Sequence, residues 1–142
     1  MKNKNVLITK KFEFSASHRY WIEKWSKEQN ERIFGHNTSP YGHGHNYDLY
    51  VTVSGPISIE TGMIINLSEL KKIVNEILLD FDHKYLNLDT PYFKDQLPTT
   101  ENLALVLFDL IDKKLAGYQA LILKRIRLFV TQDSYVDVWE DE

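Results

Sequence analysis

The chain has 142 residues, 43% of them hydrophobic and 13% aromatic, enough for one domain, residues 1–142, around a real core. A net charge of -3 gives no general attraction to nucleic acid or to an anionic membrane. No apolar run reaches the about 20 residues of a membrane span, and Met1-Lys2-Asn3-Lys4 leads into no secretory signal, so a cytoplasmic protein is expected; the absence of cysteine excludes disulfides, thiolate metal cages and thiol catalysis.

Val6 to Phe14 reads as a first strand, followed through Ser15-Ala16-Ser17 by His18. The segment from Tyr20 to Phe34, with Trp21, Trp25 and several charges, is compatible with a long functional loop or a helical insertion. Asn46 to Ser54 alternates as a second strand, with Tyr47, Leu49, Val51 and Val53 on one face and Asp48, Tyr50, Thr52 and Ser54 on the other. Gly55-Pro56 ends it. Asn66 with Glu69 resembles a capping box, opening a helix with the stripe Leu67, Leu70, Val74, Ile77, Leu78 and Phe81 that stops near Asp82-His83. Pro98-Thr99-Thr100-Glu101 opens a second helix, buried through Leu103, Leu107, Leu110 and Ile111 and stopped at Gly117. Leu123–Thr131 and Tyr135–Trp139 form a hairpin around Gln132-Asp133-Ser134. The expected class is α+β, a four-stranded antiparallel sheet with two helices on one face and edges that invite assembly.

His43-Gly44-His45 stands at the mouth of the second strand, and residues two apart on a strand project from one face. A His-x-His pair can be an ordinary hydrogen-bonded feature or a pair of metal ligands. Here glycines at 42 and 44 allow close backbone approach, and His18 offers a third imidazole. Three neutral nitrogens with an open fourth position describe a catalytic zinc site. Asp82-His83 is likewise double-valued: a helix-end pair, or a carboxylate that orients an imidazole for proton transfer.

Together these segments resemble the 6-pyruvoyltetrahydropterin synthase family, which includes the 6-carboxytetrahydropterin synthases of queuosine biosynthesis. The matching motifs run nearly the length of the chain: Phe14 to His18, Pro40 to Tyr47, Thr61-Gly62-Met63 with Asn66-Leu67, Asp82-His83-Lys84 with Leu86, and Thr99 to Asn102. Leu86 to Phe93 looks more like the biopterin branch than the shorter queuosine branch.

The resemblance implies the tunnelling fold, in which three sheets join into a twelve-stranded barrel and two trimers stack as a homohexamer with active sites between subunits. It implies Zn2+ on His18, His43 and His45 and a catalytic pair Asp82 and His83; Glu101, beside Thr99 and Thr100, is either a carboxylate left to meet the pterin edge or a helix-start carboxylate favoured by the dipole. The implied activity is a zinc-dependent carbon–oxygen lyase acting on a small-molecule pterin, 7,8-dihydroneopterin triphosphate or a relative. Two positions depart from the pattern: Asn37 stands where the family has its cysteine base, and Val130 where it has the glutamate that anchors the pterin. His36, Glu28 and Glu31 are the nearby substitutes for the base. The alternatives are a non-catalytic or ligand-altered zinc-binding homologue, or an oligomeric scaffold with remnant histidines.

Overall fold

The computed structural model describes residues 4–118 and 120–141. In chain order the elements are β1 (Leu7–His18), α1 (Lys27–Phe34), β2 (His43–Ser54), α2 (Leu67–Leu78), β3 (Lys84–Tyr85), α3 (Leu86–Asp89), α4 (Thr100–Leu115), β4 (Ile122–Thr131) and β5 (Ser134–Val138). Short 3-10 turns occupy Gly35–Thr38 and Pro91–Phe93. The sheet order is β3-β1-β2-β4-β5. The four long strands are antiparallel, as expected, and the two-residue β3 adds a parallel pairing at the outer edge of β1.

Strand alternation builds the core. Phe12, Phe14 and Ala16 of β1, Tyr47, Leu49, Val51 and Val53 of β2, and Leu123, Ile126 and Leu128 of β4 are buried on one face. Against them lie Leu70, Ile73, Val74, Ile77 and Leu78 of α2 and Leu103, Leu107, Phe108, Ile111 and Leu115 of α4. Each such Val, Leu, Ile or Phe side chain, fully buried, contributes about 1.5–3 kcal/mol. The other face of the sheet is polar: Lys11 pairs with Glu13 at 3.2 Å, and Arg127 grips Asp137 through two bonds of 2.8 and 3.0 Å.

Local chemistry differs from the sequence reading at several points. The segment from Tyr20 to Phe34 contains α1, capped by Ser26, whose hydroxyl accepts from Gln29 N–H. The fully buried Asn30 ties the preceding loop to this helix: its Oδ1 accepts from Ile22 N–H at 2.8 Å, and its Nδ2 donates to Ile22 and Ser26 carbonyls at 3.0 and 3.1 Å. At α2 the expected capping box is not reciprocal. Asn66 accepts from Ser68 N–H, while the Glu69 carboxylate accepts from Tyr118 hydroxyl at 2.6 Å. Leu67 is exposed, because it sits in the first turn before the helix reaches the sheet. Thr99 caps α4 as expected, accepting from Asn102 N–H at 3.1 Å, and the helix ends at Leu115, short of Gly117.

Candidate metal centre

The register of β1 and β2 brings the histidines together. His18, the last residue of β1, faces His43, the first of β2, and His45 lies two residues on, opposite Ala16. Directly paired residues and their i+2 neighbours share a sheet face, so all three imidazoles project from the core face beside Tyr47. Ring centroids are 4.8 Å apart for His18–His43, 5.1 Å for His18–His45 and 4.8 Å for His43–His45. One nitrogen from each lies within 4.8 Å of the others. Gly42 makes this pairing sterically feasible: its φ is +72°, and a Cβ there would meet His18 O at 2.7 Å.

His18 is buried and held on both ring nitrogens, Nδ1 by Tyr47 hydroxyl at 3.3 Å and Nε2 by Asn37 Oδ1 at 3.1 Å. The Tyr20 ring stacks on it at 4.5 Å. Burial, aided by the neighbouring imidazoles and opposed by the Asn37 hydrogen bond, pushes its pKa down to about 4. Burial, then His43, also lowers that of His45. A metal requires neutral rings, and the Nε2 proton that His18 shares with Asn37 would give way to the ion.

The donor set fits a transition-metal ion. His43 and His45 face one another with Nε2 atoms 3.1 Å apart, and His43 Nδ1 is buried without a hydrogen-bond partner. Zinc favours such a nitrogen-rich set.

The other predicted residues are distributed around this cluster. Glu101 and Thr100 connect to it through Tyr20, whose phenol hydrogen-bonds Thr100 beside the Glu101 carboxylate. Burial first, then Glu101, drives the Tyr20 pKa up to about 12, against the Thr100 hydrogen bonds. Thr99 is occupied as the α4 cap.

Asp82 and His83 sit at the edge of β1 rather than among the three imidazoles. Asp82 Oδ1 accepts from Ser15 N–H at 2.9 Å, and His83 N–H donates to Ser15 O at 2.6 Å, extending the short β3 pairing. His83 has a left-handed φ of 60° and an exposed ring, with Nε2 a loose 3.8 Å from Asp82 Oδ2. Of the suggested substitutes for a base, Glu28, Glu31 and His36 are all exposed, His36 rather than turned inward.

Sequence reasoning passed over Tyr20, Tyr47 as a ring-nitrogen partner, and Asn30. For Tyr47 the signal was present, since it stands two residues after His45 on the same strand face.

The model of the 6-pyruvoyl tetrahydropterin synthase family matches residues 7–141. The chain belongs to this family. A 6-pyruvoyl tetrahydrobiopterin synthase of Pongo abelii is 41% identical over 130 residues, covering 91% of this chain and 88% of that protein. A dihydroneopterin monophosphate aldolase of Pyrococcus furiosus is 33% identical over 118 residues, covering 82% of each. The structure of Caenorhabditis elegans 6-pyruvoyl tetrahydropterin synthase superposes with a TM-score of 0.88 at 28% identity, covering 99% of both chains.

Against that family pattern the two departures acquire positions. Asn37 lies in the 3-10 turn after α1 with its amide against His18. Val130 is half-buried against the core at the irregularity between Phe129 and Thr131, where it offers packing and no acceptor.

Proposed function

We propose that this chain is a zinc-dependent lyase that processes a pterin, 7,8-dihydroneopterin triphosphate or a close relative. The observation that carries this reading is the convergence of three imidazoles, one nitrogen of each within 4.8 Å of the others, in a member of this family. Zinc bound by His18, His43 and His45 would supply Lewis acidity to the hydroxylated side chain of the substrate, lowering hydroxyl pKa values and acidifying the adjacent C–H bonds.

The protein's own groups do the rest. Tyr47 fixes the orientation of His18. The Glu101 carboxylate, at the start of α4 beside Thr99 and Thr100, matches the paired N–H donors of a pterin edge. It is the acceptor on hand where Val130 provides none. Asp82 and His83 are the proton-transfer pair. Their place at a sheet edge, with the His83 ring in solvent, suits a role in the site of a neighbouring copy within a cytoplasmic homohexamer.

A second reading concerns the reaction within the same pocket. An amide at residue 37 is no general base near neutral pH, and the Pyrococcus relative is named an aldolase, which favours carbon–carbon cleavage of the substrate side chain. Incubating the zinc-loaded protein with 7,8-dihydroneopterin triphosphate and identifying products by mass spectrometry tests both. Released triphosphate with a 6-pyruvoyl product supports the synthase reaction; a shortened pterin side chain with an aldehyde fragment supports cleavage. Turnover only after Asn37→Cys would show a lost activity, and no turnover by either protein would overturn the assignment.

A further inference from the structure

Asn37 is held with its amide oxygen against His18, one member of the histidine cluster. Its Nδ2 donates to Phe34 O at 3.2 Å, which orients the amide and leaves Oδ1 as the atom facing His18 Nε2, 3.1 Å away. The backbone around it is fastened on both sides. Asn37 O accepts from Tyr20 N–H at 2.8 Å, Thr38 hydroxyl donates to Gly35 O at 2.7 Å, and Arg19 Nε donates to Thr38 O at 3.1 Å. Such a side chain is set in place before any ligand arrives.

The His18 contacts specify what that oxygen meets. Tyr47 occupies Nδ1, so Nε2 is the nitrogen left for an ion, and it is the one that meets Asn37. With bonds of about 2.0–2.2 Å, the ligand atoms of a tetrahedral zinc site lie roughly 3.3–3.6 Å apart. Asn37 Oδ1 stands 3.1 Å from His18 Nε2, the same separation as that between the Nε2 atoms of His43 and His45. This contact is a hydrogen bond in the metal-free protein; once Nε2 gives up its proton to bind an ion, the Asn37 oxygen is left beside that ion as an uncharged donor.

We infer that Asn37 supplies the fourth ligand of the metal centre through its amide oxygen, closing the site until a hydroxylated substrate displaces it. This rests on the three-histidine reading above and adds a role for the residue that replaces the family's base. A neutral carbonyl oxygen binds a divalent cation weakly compared with a thiolate, so the position exchanges readily. The amide then acts as a gatekeeper of the coordination sphere rather than as a proton acceptor.

Cobalt(II) loading of the full chain tests this without any activity measurement. Asn37→Cys should gain a sulfur-to-cobalt charge-transfer band, because residue 37 lies within the coordination sphere. Asn37→Ala should shift the visible ligand-field bands and weaken cobalt affinity roughly tenfold. Asn37→Asp, which keeps an oxygen at this site and adds charge, should bind cobalt more tightly than the native chain. Stoichiometric cobalt with no charge-transfer band in the cysteine variant, or with the native affinity in both the alanine and aspartate variants, would overturn this inference alone. A native chain that takes up no more cobalt than His43→Ala would overturn the metal centre itself, and this inference with it.

Discussion

The Tyr47 hydroxyl, 3.3 Å from His18 Nδ1, holds the ring through the nitrogen that Asn37 leaves free. Substituting Tyr47→Phe keeps the packed ring and removes only that partner. Zinc affinity should fall about 10–100-fold, as measured by competition with a chromophoric chelator, while thermal stability changes by about 1 kcal/mol. A variant with native zinc affinity would show that Tyr47 merely fills space. His43→Ala should abolish stoichiometric zinc, read directly by elemental analysis of the purified protein. At this scale the histidines were legible, because a period of two places 43 and 45 on one face whatever else the chain does. The partnership of Tyr20 with His18 was not legible. It depends on where a loop tied down by Asn30 lays an aromatic ring, and no local spacing encodes that. The direction of the Asn37 amide was hidden for the same reason.

Elements with strong periodicity, β2, α2 and α4, could be read from the sequence, because burial of one face dictates both their pattern and their type. The short ones could not. β3 has two residues, and α3 has four; each exists through contacts with β1 or a neighbouring turn rather than through propensity. α1 was ambiguous because its face against the protein is narrow, with Asn30 its fully buried residue. Replacing Asn30 by Ala strands the Ile22 N–H, while the Ile22 and Ser26 carbonyls keep the N–H groups of Trp25 and residue 30, and should cost about 1–3 kcal/mol, measurable by urea unfolding; a loss below 0.5 kcal/mol would mean that the loop finds other partners. In the β4–β5 hairpin, the Arg127 hydrogen bonds first, then its charge, hold the Asp137 carboxyl below its usual 3.8. A carboxyl depressed on folding stabilises above the unfolded value and ceases to do so as pH falls through the folded one. The melting temperature of the native chain should therefore exceed that of Asp137→Asn at neutral pH, and the gap should close as pH drops below 3.8. A gap that stays constant on acidification would assign the stabilisation to something other than this ionisation.

At the scale of the whole molecule, Asp82 and His83 lie apart from the three imidazoles, on a sheet edge with His83 in solvent. If a neighbour completes each centre, specific activity should fall on dilution in step with dissociation, and sedimentation of the intact protein should give six times the 16.7 kDa chain mass. A monomer with undiminished activity would refute shared sites. The two outer strands bear on this. Among the described residues, β3 and its flanking turn pair with β1 only from Ser15 to Ser17, and β5 pairs on one side with β4. Most of β1 and the far side of β5 thus present unsatisfied ladders at opposite ends of one sheet. A unit with complementary free ends docks head to tail, and such docking terminates only when accumulated rotation returns to its start; otherwise it runs on as a fibre. The irregularities at Thr52/Val53 and Phe129/Thr131, which deepen the local coil of the strands, would then decide between a finite ring and an endless one, so straightening them puts solubility at risk before it touches the chemistry.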